Sequence, residues 1–113
     1  MNNKMTVNGK EFELVFKFKS DMIYEKIQGK SFTPDQETNW LVYFYSTYLA
    51  LTGDEELLFD DFVLEMDKEP VKLYIFIKWY TTMYEQMMSI VKKELEQEEE
   101  KPKRKRTKKA KTL

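Results

Sequence analysis

The chain has 113 residues, 42% hydrophobic and 15% aromatic, enough for one small domain with a single core. It has neither Cys nor His, which removes disulfides, thiolate nucleophiles, Cys/His zinc sites, catalytic triads and the commonest general base at neutral pH. The net charge of −1 hides two opposed fields: residues 1–100 hold all 20 acids and 11 of the 19 bases, a net of −9, and the last 13 residues carry the other eight bases.

The opening MNNKMTVNGKEF has no apolar stretch and no small-residue cleavage site, so it does not read as a secretory signal. Asn8-Gly9 then sits between two alternating runs and suits the positive φ angles of a tight hairpin turn. A two-residue turn there pairs Val7 with Lys10 and Met5 with Phe12. That register places Met5, Val7, Phe12, Leu14, Phe16 and Phe18 on one face, with Glu11, Glu13, Lys17 and Lys19 on the other. The hairpin is expected over residues 4–19.

Ser20 is positioned to cap a short helix over about 20–28, with Asp21 at its positive end, Gly29 as its left-handed stop and Met22, Ile23 and Ile27 as its buried side. Thr33-Pro34-Asp35-Gln36 offers a capping Thr, Pro at the first helical position and Gln three residues after the cap. The helix it opens should run over 34–52 and end at Gly53. Its WLVYFYSTYLAL segment is apolar on nearly every side, the mark of a central helix packed all round. That segment, Trp40 to Leu51, is the longest uncharged apolar run and is too short to span a bilayer, so no membrane association is expected.

After an acidic loop, a short amphipathic helix is predicted over about 57–66, with Leu58, Phe62 and Met66 on one side. Asp67 to Glu69 break it, and Pro70 opens the longest helix, over about 70–98. Beyond Glu100, Pro102 and a run of Lys and Arg with no apolar partners cannot offset the entropy of ordering. The expected fold class is therefore α+β: an N-terminal β-hairpin followed by about four helices in a small helical bundle, one domain over 1–100, with a disordered basic tail over 101–113.

Little in the sequence points to catalysis. Carboxylates cluster at Asp54, Glu55, Glu56, Asp60, Asp61, Glu65, Asp67 and Glu69, the oxygen donors that a hard cation takes, but the calcium-loop spacing and a nuclease-type Lys are missing. A solvated acidic surface is the simpler account. The three glycines, Gly9, Gly29 and Gly53, all have turn or helix-end roles, so no phosphate loop or dinucleotide fingerprint remains. No Ser or Thr has a recognisable base to activate it. No enzyme activity and no cofactor are expected.

The last helix is more informative. At 100° per residue, Leu73, Ile77, Tyr80, Tyr84, Met87, Met88, Val91 and Leu95 form one stripe, and Ile75, Trp79, Met83 and Ile90 form a second beside it. The combined arc is about twice what a helix lying on a core requires. Either both stripes are buried within the chain or one is offered to a partner. Four Met (Met66, Met83, Met87, Met88) among many Tyr make a surface that adapts to another helix, and Trp79 and Tyr84 are the residue types enriched at binding hot spots.

The tail has three readings. Lys101, Lys103, Arg104, Lys105, Arg106, Lys108, Lys109 and Lys111 suit non-specific contact with nucleic acid phosphates. PKRKR also matches a nuclear-import pattern, and the run suits an acidic partner, its own −9 body included. No base-reading fold is visible, so sequence-specific DNA binding is not expected.

With a hairpin on TVNGKEFELVFKF and LLFDDFVLEMDKEP ahead of a long closing helix, the chain resembles the tail assembly chaperones of long-tailed bacteriophages over about residues 5–95. The resemblance implies a non-enzymatic protein of the infected host's cytoplasm. Such chaperones bind the tape measure protein, keep it soluble and assist tail tube polymerisation. It further implies a longer frameshifted form that recruits the major tail protein, this chain being the short product. Self-association into a homo-oligomer fits the same surface. The residues expected to meet client helices are Ile75, Trp79, Met83, Tyr84, Met87 and Ile90. The alternative is a small nucleic-acid-associated protein working through residues 101–113.

Overall fold

The computed structural model describes residues 3–100; the disordered basic tail expected over 101–113 lies outside them. The fold is α+β. Strands β1 (Lys4–Val7) and β2 (Lys10–Glu13) form an antiparallel hairpin. Helices α1 (Phe18–Gln28), α2 (Glu37–Thr52), α3 (Phe59–Lys68) and α4 (Val71–Glu100) follow. The chain divides into two compact units, Met1–Trp79 and a second that starts at Tyr80, and α4 runs through both.

The hairpin has the predicted register, with Met5 opposite Phe12 and Val7 opposite Lys10. Asn8 and Gly9 have φ of 52° and 75°, the two positive angles that match a turn to the strands' right-handed twist. Met5, Val7, Phe12 and Leu14 are buried as alternation requires. The last bond across the hairpin runs from the Leu14 N–H to the Asn3 carbonyl, and the alternation ends with it: Phe16 is only half-buried and Phe18, expected inside, is 75% exposed and packs edge-on against Phe16 at 5.1 Å. A Cβ at Gly9 would touch nothing within 4 Å, so Gly9→Ala adds backbone strain alone. It should cost about 1–2 kcal/mol, read as a lower urea midpoint at unchanged m-value.

Helices α1 and α2 stop where glycine predicts but start elsewhere than expected. Gly29 and Gly53 close α1 and α2 in the left-handed conformation, donating to the carbonyls of Glu25 and Leu49. But α1 starts at Phe18 with Lys17 at the cap position, and Ser20 is buried within the helix instead of capping it. Its buried side is Ser20 and Tyr24, while Met22 and Ile27 are exposed. Tyr24 displaces the aliphatics because its ring meets Phe32 at 5.4 Å and Tyr43 at 5.9 Å.

Thr33 does not cap α2. Its hydroxyl donates to Asp35 Oδ1 (2.9 Å), and Asn39 Nδ2 donates to the Thr33 carbonyl and to Asp35 Oδ1, so 33–36 becomes a braced turn and α2 begins at Glu37, not at 34. The Thr33 hydrogen bond also holds the Asp35 carboxyl below the ordinary carboxylate range.

As expected, α2 is the central helix of the first unit, burying Trp40, Val42, Tyr43, Phe44, Tyr45 and Tyr48. Ser46 and Thr47 are buried beside them at little cost because each hydroxyl donates to the carbonyl four residues earlier, Val42 and Tyr43. On one side, Tyr43 receives α1 and donates to Asp21 (2.7 Å). On another, Phe44, Tyr45 and Tyr48 receive Phe62 of α3. Phe12 of the hairpin meets Tyr48 at 5.5 Å, and Phe76 of α4 stacks on Phe44 at 4.4 Å. In α3, Phe62 and Met66 are buried as predicted, but Leu58 is exposed and Leu57 takes the inner position. Leu58 precedes the first helical turn in an extended conformation, so the helical period does not govern it.

Candidate functional site

Two places were singled out by the sequence, the acidic stretch and the last helix. Among the described residues, no three acids come together to hold a metal ion. Asp60, Asp61, Asp67 and Glu69 are exposed, whereas Asp54 is buried. Asp54 follows the stop of α2, where its Oδ2 accepts the Tyr48 hydroxyl (2.6 Å) and its Oδ1 accepts the Glu56 N–H (3.0 Å), with Lys10 Nζ at 3.8 Å.

The Tyr48 hydrogen bond, first, and the Glu56 N–H hold the Asp54 carboxyl below its ordinary value, and burial together with Asp54 pushes Tyr48 up to about 12. This tie fastens hairpin, α2 and the α3 approach together. It borders an open cleft of about 460 Å³ lined by Lys10, Lys68, Asp61, Glu65 and Leu64 among others, whose mixed charges present no single-sign field to a ligand. The sequence signal for Asp54 was its place directly after a helix-ending glycine.

The last helix divides along its length. In the first unit Leu73, Phe76 and Trp79 are buried at three-residue spacing. Trp79, expected as a partner-binding anchor, is 8% exposed and lies 5.7 Å from Phe76, so its ring belongs to the core. Ile75, also of this unit, is exposed.

In the second unit the predicted Tyr84, Met87 and Ile90 are exposed and Met83 is half-buried. Met88, Val91 and Leu95 are exposed with them. These last three lay on the first stripe and were left out of the expected contact set; the continuation of that stripe past Tyr80 was the signal for them. At 100° per residue, the seven side chains from Met83 to Leu95 span about 160° of the helix, interrupted in its last turn by Glu94, and Glu85, Gln86, Ser89, Lys92, Lys93 and Glu96 fill the other side. Tyr80 and Tyr84, one turn apart, stack at 6.0 Å and give the face an aromatic start.

No family model, curated protein or solved structure matches this chain. Among the described residues no helix is long and apolar enough to cross a membrane.

Proposed function

We propose that the protein acts without catalysis, as a tail assembly chaperone of a long-tailed bacteriophage. In this reading it binds helices of the tape measure protein, keeps that protein soluble in the cytoplasm of the infected bacterium and assists tail tube polymerisation. Contact with the major tail protein belongs to a longer, frameshifted form.

The observation that carries the proposal is the open apolar face of α4, on which Tyr84, Met87, Met88, Ile90, Val91 and Leu95 meet water. An exposed apolar patch, uninterrupted from Met83 to Val91, on a chain that is 35% charged marks an interaction surface. Its spacing suits client helices, whose apolar anchors recur every three or four residues. Unbranched Met87 and Met88 adjust to differing client side chains, which suits a long client with many non-identical segments. The arc is wider than the roughly 100° that one packed face takes, leaving room for more than one client helix.

The test is coexpression with the tape measure protein of the source phage, comparing the wild-type chain with Met87→Asp/Val91→Asp. Both positions are exposed, so the thermal midpoint should be unchanged. Soluble tape measure protein should fall roughly tenfold, the equivalent of about 1.4 kcal/mol of lost contact. Equal solubility with a variant that retains its midpoint would overturn the proposal.

A further inference from the structure

We infer that the first unit docks head-to-tail on a second copy of this chain, the outward ridge of α1 in one copy meeting the outward ridge of α3 in the next. The inference is independent of the client reading, since it uses none of the α4 face.

On α1, Phe18 and Met22 lie one turn apart and are 75% and 68% exposed, the two most exposed large apolar side chains among the described residues. Lys19 and Lys26 flank them on the same side of the helix. On α3, Leu64 is 56% exposed, with Asp60 one turn before it, Asp67 three residues after it and Asp61 alongside. Among the described residues none of these five charged side chains is in an ion pair. The opposite charges are Glu25 and, at the edge of the ridge, Asp21 on α1 and Lys68 on α3; Asp21 is already engaged by the Tyr43 hydroxyl at 2.7 Å and Lys68 by Glu65 at 3.5 Å.

The two ridges are therefore alike in build and opposite in sign: an apolar centre framed by Lys on one and by Asp on the other. They leave different sides of α2, α1 packing on Tyr43 and α3 on Phe44, Tyr45 and Tyr48. Pairing α1 with α1 opposes Lys to Lys, and pairing α3 with α3 opposes Asp to Asp. Only α1 against α3 covers both apolar centres and matches the charges, and a second copy carries both complements. Such a contact is heterologous, leaving a free ridge at each end for further copies.

Sedimentation velocity of the full chain across a concentration series tests this. Weight-average mass should rise with concentration at low salt and fall back toward the monomer at high salt. Lys19→Glu/Lys26→Glu and Asp60→Lys/Asp61→Lys should each weaken association at least tenfold without lowering the thermal midpoint. A 1:1 mixture of the two variants should restore it, because each then offers what the other lacks; the basic tail, identical in both, cannot produce that rescue. A wild-type chain monomeric throughout, association indifferent to either reversal, or a mixture without rescue would each overturn the inference.

Discussion

Replacing Phe76 by Ala is expected to cost about 3–5 kcal/mol, the usual loss for deleting a fully buried aromatic side chain. Phe76 is completely buried, stacks on Phe44 at 4.4 Å and 11°, and approaches Trp40, Tyr43 and Trp79 at 5.7–6.2 Å. Its removal loses both the transfer term and the stacking, and rigid aromatic neighbours on several sides cannot collapse into the space. Small domains have only about 5–15 kcal/mol in total. The thermal midpoint by circular dichroism should therefore fall by more than about 12 °C, at roughly 4–8 °C per kcal/mol. Phe76→Leu, which keeps most of the volume, should lose less than half as much. A midpoint within a few degrees of wild type for Phe76→Ala would mean that the start of α4 is not fastened through this ring.

Tyr48→Phe should cost about 1.5–3 kcal/mol, the range for a buried hydrogen bond to a charged acceptor. Asp54→Ala should be more damaging, since it strands both the Tyr48 hydroxyl and the Glu56 N–H. The pair also shapes the pH dependence. Tyr48 is raised from 10.0 to about 12, so its contribution is fully present below pH 10. As pH rises from there the unfolded chain releases the proton first, and the contribution is lost as the folded value is passed. Asp54 acts in the opposite direction: its folded value lies below 3.8, so its contribution is present above the unfolded value and lost as pH falls through the folded one. Urea denaturation across pH should show a plateau between these limits. In Tyr48→Phe the alkaline decline should be shallower but not absent, because Tyr24, Tyr45 and Tyr74 are raised as well. An unchanged alkaline limb would remove Tyr48 from that account.

The hairpin was legible because two signals coincide in it, Asn8-Gly9 turn chemistry and an alternation that only one register satisfies. Gly29 and Gly53 were legible as stops because a left-handed residue has few alternatives to glycine. The starts were not, because Ser20 and Thr33 found other uses, one inside α1 and one bonded to Asp35. Periodicity placed Tyr84, Met87 and Ile90 on an apolar face of α4 without saying whether anything covers it. It reports which side of a helix is apolar and is silent on which turns have neighbours. In a helix of 30 residues, about 45 Å long, that silence is what made Trp79 look like Tyr84: the two sit on adjoining stripes, and only the rings around Phe76 separate them. Asp54 was hidden in a run of acids from which composition alone cannot pick out the buried member.

Among the described residues the methionines lie at two extremes of exposure, with half-buried Met83 between them. Met5 and Met66 are sealed in the core, at 7% and 4% exposure, while Met22, Met87 and Met88 stand at 68%, 36% and 45%. Oxidants reach the exposed ones first, converting a soft thioether into a polar, chiral sulfoxide. The damage would fall on the two faces assigned here to partners and spare the fold, so a sample aged in air could keep its melting temperature while its adhesive surfaces fade, restorable by sulfoxide reductases.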